Sequence, residues 1–300
     1  MRLILFGYPL THSLSPAMHN AALAEVGLSD WRYEAMPVEP GRLAKAVAVI
    51  RGDDYAGANV TVPHKEAIIP LLDGLTPVAE AIGAVNTVVK VGAKHASPSL
   101  IGHNTDAAGL LADLHAQGVH ISHRPVLILG AGGAARASVA ACAGAYAGTH
   151  IRVAARRREQ AQSLISIDPS LEVFDWSSVG FMQACDDCAL IINTTPLGMT
   201  PNADASPWLD GTPFPPDAFV YDLVYNPAET LFTRQARAAG LRAATGLGML
   251  VEQGALAFEM WTGKTAPRDI MRQAAERKLI ANLQPRSASL RGQMSPISHV

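Results

Sequence analysis

The stretch PVLILGAGGAARASVAA, residues 125–141, decides how the rest of the chain is read. It opens as an apolar strand over 125–129, turns on glycines, and continues as a helix of small residues from 133. Its glycines follow the spacing Gly130-x-Gly132-x-x-Ala135. Gly130 permits the tight turn, Gly132 lets backbone come close to a pyrophosphate, and Ala135 allows the helix to pack on its strand. The first amides of the helix add hydrogen-bond donors and positive potential. Alone, such a motif also marks an ordinary strand-to-helix turn. With the strand before it and the helix behind it, it reads as a dinucleotide site.

The next strand tests that reading. HIRVAARRREQ (150–160) leaves its strand at Ala155, where an NAD site carries an acidic residue for the ribose 2′-hydroxyl. This chain places Arg156, Arg157 and Arg158 there. Guanidinium groups offer paired donors to a phosphate, and no carboxylate is present to repel one. The alternative is a solvated basic helix start, but cations are unfavourable at a helix N-terminus unless an anion is near. The expected cofactor is NADP.

Outward from this unit, strand and helix patterns alternate, which predicts an α/β architecture. Strands are expected at 2–6, 31–37, 57–62, 85–90, 125–129, 150–154, 189–192 and 218–223. Helices are expected at 16–26, 40–50, 76–82, 107–117, 133–146, 158–165, 228–239 and 247–262. SHRP (122–125) and ATGLG (244–248) mark boundaries, no solenoid repeat is present, and the Ser-, Pro- and Arg-rich tail from 286 reads as disordered.

Composition limits the function classes. Of 300 residues, 49% are hydrophobic and 17% charged, enough for a sizeable core. A net charge of −2 gives no field for nucleic acid. No apolar run reaches the ~20 residues of a membrane span. The run in MRLILFGYPL is cut by Gly7 and Pro9 and reads as a first strand, not a signal peptide. Cys185 and Cys188 are spaced C-x-x-C without a second pair, and His115, His120 and His123 lack a matching carboxylate pattern. No metal site is expected.

Four further stretches carry polar groups at element ends. In GANVTVPHKEA (57–67) an alternating strand with Asn59 and Thr61 stops at Pro63, and His64, Lys65 and Glu66 follow as a possible first helical turn. A lysine there is opposed by the helix dipole, so it is either a plain surface lysine or one placed for chemistry. GYPLTHSLSPAMHNAAL (7–23) enters a helix through Ser13 and Ser15-Pro16. Ser15 can be the N-cap, or Ser13 and Ser15 can bind a carboxylate. AVNTVVK (84–90) sets Asn86 at a strand start. IGHNTDAAGLLADL (101–114) sets Asp106 at a helix start, where an N-cap or first-turn acid is the ordinary role.

In chain order, GYPLTHSLSPAMHN, GANVTVPHKEA, GAVNTV, NTDAAG, GAGGAA, NTTPLGM, DLVYNPAET and GLGMLVEQGALAF closely resemble the shikimate dehydrogenase family over roughly residues 1 to 280. Together these motifs are specific where each alone is weak. The resemblance implies a two-domain α/β fold. A mixed-sheet substrate domain would come from 1–106 and 246–285, with a Rossmann NADP-binding domain, 107–245, inserted between and the active site in the cleft.

Carried over residue by residue, Ser13 and Ser15 would hold the substrate carboxylate with help from Tyr225. Asn59, Thr61, Asn86 and Gln253 would complete the substrate site, and Lys65 and Asp106 would be the catalytic pair. Gly130, Ala131, Gly132, Gly133 and Ala134 would hold the pyrophosphate. Arg156, with Ala155, Arg157 and Arg158 around it, would meet the 2′-phosphate. Leu223, Gly246 and Met249 would line the nicotinamide side.

One departure stands out: the family's adenosine motif is usually N-R-T, and here it is Ala155-Arg156-Arg157. The implied reaction is reversible, NADPH-dependent reduction of 3-dehydroshikimate to shikimate, in a cytoplasmic monomer or homodimer without nucleic-acid or membrane partners. A quinate/shikimate or aminoshikimate dehydrogenase is the nearest alternative enzyme. A non-catalytic ligand sensor on the same fold is the alternative from another class.

Overall fold

The computed structural model describes residues 1–92, 98–121, 123–146 and 148–283. The first half runs β1 (Arg2–Gly7), α1 (Ser15–Glu25), β2 (Arg32–Pro37), α2 (Leu43–Val49), β3 (Tyr55–Val60), β4 (Gly74–Leu75), α3 (Pro77–Ile82), β5 (Thr87–Val91), β6 (Ser99–His103) and α4 (Asp106–Ala116). The second half runs β7 (Val126–Leu129), α5 (Gly133–Ala145), β8 (Ile151–Ala155), α6 (Arg158–Gln162), β9 (Glu172–Asp175), α7 (Ser178–Cys185), β10 (Leu190–Asn193), β11 (Phe219–Asp222), α8 (Leu231–Ala238) and β12 (Arg242–Thr245). Two long helices follow, α9 (Leu247–Thr262) and α10 (Arg268–Leu283).

The first sheet has the order β2-β1-β3-β5-β6-β4 and is mixed. β1 lies parallel to β2 and β3, and β5 runs antiparallel to both β3 and β6. The second sheet, β12-β11-β10-β7-β8-β9, is parallel throughout. Numbered from β7, that order is 3-2-1-4-5-6, the Rossmann arrangement. Ligands in such sheets sit beyond the strand C-termini where the order reverses, here between β7 and β10. The glycine turn leaves β7 at that point.

Side chains alternate across each sheet, so successive residues enter different cores. Leu3 and Leu5 pack with Met18 and Leu23 of α1 and with Val251, Phe258 and Trp261 of α9. Ile4 and Phe6 pack on the opposite face with Val47, Ile50, Ala58 and Val60. Helix α9 therefore returns to the first sheet after the second is complete. Val126 and Ile128 face Leu110 of α4 and Ala135 of α5, whereas Leu127 and Leu129 face Phe181 and Phe232.

Several expectations are corrected. β3 ends at Val60 and not at residue 62, because Pro63 has no N–H to extend the ladder and Val62 turns out to 65% exposure. The segment with His64 and Lys65 is no α-helix start. It makes a single turn, Ile68 N–H to His64 O at 3.0 Å, before a 3₁₀ turn at Ile69–Leu71. Pro40–Arg42 is also 3₁₀, so α2 starts at Leu43.

Strands β4, β6, β9 and β12 and helices α7 and α10 were not expected. β4 has only two residues, and β12, with the sequence RAAT, lacks the β-branched run that announces a strand. Ser122 of the first boundary and the 286–300 tail lie outside the described residues. Among the described residues, no helix is long and apolar enough to cross a membrane, and no cluster of His, Cys, Asp and Glu is arranged to hold a metal ion. Cys142, Cys185 and Cys188 are free and buried.

Candidate active site

Lys65 projects from the turn after β3. Three contacts fix that turn. Val85 N–H donates to Lys65 O at 2.8 Å, and His64 N–H donates to Thr61 O at 2.9 Å. The buried His64 ring places Nε2 2.7 Å from Val38 O. A carbonyl only accepts, so that nitrogen carries the proton. Lys65 Nζ then meets Asp106 Oδ2 at 2.7 Å, with side-chain exposures of 13% and 7%.

Asp106 is the first residue of α4, and Thr105 occupies the cap position without a side-chain cap bond. The neighbouring Asn104 does the capping: its Oδ1 accepts Asp106 N–H at 3.0 Å and Ala107 N–H at 3.4 Å. Its amide nitrogen donates to Ala84 O at 2.9 Å. Asp106 is thus a first-turn acid, favoured by the helix dipole, with both oxygens free for other donors. Asn104 was missed in the sequence, although an asparagine two residues before a helix start is a recognised local cap.

Asn86 stands one residue before β5 and joins these elements. Its amide nitrogen lies 2.8 Å from Asp106 Oδ1, 2.8 Å from Thr105 Oγ1 and 3.2 Å from Gln253 Oε1 of α9. Its carbonyl accepts Thr105 N–H at 2.8 Å. Asn59 is engaged wholly inside the protein: Oδ1 accepts Tyr33 Oη at 2.7 Å, and Nδ2 reaches Asn86 O and Thr87 Oγ1, both at 3.1 Å. It sits behind Asn86 and has no amide hydrogen left for a ligand. Thr61 is partly exposed beside Lys65.

The serine loop differs from the capping alternative. α1 begins at Ser15, with Leu14 at the cap position and no side-chain cap bond. Ser15 is therefore a first-turn residue, and Ser13 Oγ accepts its N–H at 3.3 Å. Tyr225, from the loop after β11, lies beside the Leu14 backbone and packs with Leu14. Burial pushes its phenol up to about 12, so it keeps its proton.

Asp222, also missed from the sequence, anchors that loop. It accepts from Asn193 Nδ2 at 2.8 Å, Thr230 Oγ1 at 2.7 Å and Val224 N–H at 3.0 Å. Burial pushes its carboxyl up to about 6.

The glycine turn fits a dinucleotide. Gly130 has φ +111°, and a β-carbon there would lie 2.6 Å from Thr194 Oγ1. A β-carbon on Gly132 would meet nothing within 4 Å, so its outer face is open for a ligand. The first turn of α5 has no side-chain cap, leaving its amides available. Gly133 touches the other half of the site: its β-carbon would lie 3.1 Å from Lys65 Cβ and 3.3 Å from Cδ.

Ala131 and Met249 share one apolar cluster with Leu223 packed against it. Gly246 approaches Leu223 so closely that a β-carbon would lie 2.3 Å from Leu223 O. Ala134 sits in the first turn of α5 and Ala155 ends β8. Arg156 and Arg157 are exposed beyond it. Arg158 departs from expectation, for its guanidinium pairs with Asp175 Oδ1 at 2.9 Å.

The comparisons agree with this geometry. Residues 5–88 match the shikimate dehydrogenase substrate binding domain, and residues 246–276 match the shikimate 5′-dehydrogenase C-terminal domain. The shikimate dehydrogenase (NADP(+)) of Moorella thermoacetica is 45% identical over 276 residues, covering 89% of this chain and 90% of that protein. That of Symbiobacterium thermophilum is 43% identical over 277 residues, covering 90% and 92%. The crystal structure of shikimate 5-dehydrogenase from Thermus thermophilus, in complex with NADP(H) and shikimate, superposes with a TM-score of 0.82. It is 39% identical, with 93% of this chain and 100% of that one covered. With a Rossmann sheet beside a mixed sheet, a lysine–aspartate pair in the cleft and relatives matched nearly end to end, the chain belongs to the shikimate dehydrogenase family.

Proposed function

We propose that this chain catalyses the reversible NADPH-dependent reduction of 3-dehydroshikimate to shikimate, in the chorismate route to aromatic amino acids. The observation that carries the proposal is the Lys65–Asp106 pair, held by Asn86 and lying against Gly133 of the glycine turn. Few arrangements put a proton donor, its carboxylate partner and a dinucleotide turn within one contact of each other.

NADPH, when bound, supplies the hydride. The ammonium of Lys65 gives a proton to the ketone oxygen and, in the reverse direction, its amine takes one from the alcohol. Asp106 orients Lys65 and accepts from a ring hydroxyl. Asn86 holds Asp106, and Asn59 acts behind Asn86. Ser13, Ser15 and the protonated Tyr225 bind the carboxylate, while Thr61 and Gln253 meet ring hydroxyls.

Residues 130–134 hold the pyrophosphate and Arg156 and Arg157 the 2′-phosphate. Arg158 steadies the loop through Asp175. Leu223, Gly246 and Met249 line the nicotinamide side. In this reading residues 1–106 and 246–285 form the substrate domain and 107–245 the cofactor domain. The enzyme works in the cytoplasm as a monomer or homodimer.

Initial rates with shikimate and quinate, each with NADP+ and NAD+, test this reading. Shikimate with NADP+ should be the fastest combination by at least about tenfold. A preference for quinate, or for NAD+, would overturn it.

A further inference from the structure

Arg136 lies one turn inside α5, the helix that starts at the glycine motif. By sequence it belongs to the cofactor site, where a cation near a pyrophosphate would be read as a phosphate ligand. Its side chain goes elsewhere. Arg136 Nε donates to Ile82 O at 2.6 Å, the last carbonyl of α3, beyond the second sheet. Nη1 lies 3.3 Å from Ser163 Oγ, in the 3₁₀ turn that follows the arginine segment.

The guanidinium lies directly over Gly83, which ends α3 at φ +66°. A β-carbon there would lie 2.5 Å from Nη2 and 3.1 Å from Cζ and Nε. Only glycine serves here on both counts: it takes the left-handed conformation, and it leaves room for a cation to reach an orphan helix carbonyl.

The position of this contact gives it consequence. Gly83 is followed by Ala84, whose carbonyl receives Asn104, by Val85, whose N–H holds the Lys65 carbonyl, and by Asn86, which holds Asp106. The segment under Arg136 therefore sets the backbone of both members of the catalytic pair. From the other side, α5 carries Gly133, which rests on the Lys65 stem.

We propose that Arg136 is a positioning residue that ties the cofactor-binding helix to the 83–86 segment and so sets the placement of the glycine turn relative to Lys65 and Asp106. It acts through contacts across the cleft and touches neither substrate nor phosphate.

Because the assignment rests on the reaction proposed above, wild-type turnover is measured first, and only the comparison of variants with wild type bears on Arg136. Arg136→Ala should lower kcat by roughly 10- to 100-fold, the usual cost of misplacing reacting groups by about 1 Å. The NADPH Kd from fluorescence titration should stay within about threefold of wild type, since one neutral-acceptor contact is lost and no phosphate contact. Without cofactor, amide hydrogen exchange over residues 83–86 should quicken.

Gly83→Ala keeps the cation but displaces it from Ile82 O, and should lower kcat in the same way. It also serves as the test if Arg136→Ala does not fold. A rise of tenfold or more in Kd with kcat intact at saturating NADPH would make Arg136 a phosphate ligand and overturn the assignment. So would an unchanged kcat in Gly83→Ala.

Discussion

Gly133 rests on the side chain of Lys65: a β-carbon on the glycine would lie 3.1 Å from Lys65 Cβ and 3.3 Å from Cδ. The third glycine of the turn thus faces the catalytic lysine, while the second, Gly132, faces open space. Alanine at the two positions should have different effects. Gly133→Ala pushes the lysine stem and should lower kcat by roughly tenfold with little change in cofactor binding, as expected for a small misplacement. Gly132→Ala fills the space a pyrophosphate needs and should weaken NADPH binding chiefly. Fluorescence titration and steady-state kinetics on the pair of variants check this, and identical phenotypes would refute it.

Arg156 and Arg157 stand exposed past β8, and Arg158 is committed to Asp175. Arg156→Ala should raise the KM for NADP+ by roughly 10- to 100-fold, the loss of ~1.5–3 kcal/mol of charge-assisted hydrogen bonding. NAD+ kinetics should hardly change. Arg158→Ala should be milder for NADP+ than Arg156→Ala. An equal loss with both cofactors in Arg156→Ala would mean that this residue supports structure and reads no phosphate.

Ser15 is a first-turn residue of α1 and not its cap. Its removal should therefore cost less stability than the ~1 kcal/mol of a lost N-cap. The KM for shikimate should nevertheless rise by roughly tenfold or more, because a hydroxyl donor to a carboxylate is lost. Melting temperature and KM, measured on Ser15→Ala, separate the roles. A fallen melting temperature with unchanged KM would return the residue to a structural role.

His19 is fully buried, stacked on Tyr33 with ring centroids 4.2 Å apart, and neither ring nitrogen has a hydrogen-bond partner among the described residues. Desolvation lowers its pKa from 6.5 to about 3. The folded protein then holds the neutral ring where the unfolded chain takes up a proton. Stability contributed by this site is full above pH 6.5 and declines as pH falls toward 3, by about 1.4 kcal/mol per unit. His19→Leu should remove that part of the slope. Urea denaturation of both proteins between pH 7.5 and 4.5 measures the difference, and parallel curves would contradict it.

The second domain was legible because its signals are local. An apolar strand, a glycine spacing and a small-residue helix lie within seventeen residues, and the all-parallel sheet follows from the alternation around them. Strands such as β12, with the sequence RAAT, gave no sign because neighbours and not propensity hold them in the sheet. The site was legible as a set of residue types at element ends. Its wiring was not: Asn104 as the working cap, Asn59 turned inward, Arg158 on Asp175 and Arg136 across the cleft all depend on contacts between segments distant in sequence. The helical start expected at His64 failed for the same reason. Bonds to Val38 and Val85 hold that turn, and no local capping pattern does.

The central claim is that Lys65 moves the proton, and steady-state kcat of Lys65→Ala with parallel NADPH titration tests it most directly. Turnover should fall by roughly 10²–10⁴, the usual worth of a positioned acid–base group. Cofactor affinity should be nearly unchanged. Asp106→Asn should also be severe, and the double variant should lose much less than the product of the two, because the groups are bonded at 2.7 Å and act together. Near-wild-type kcat in Lys65→Ala would contradict the mechanism.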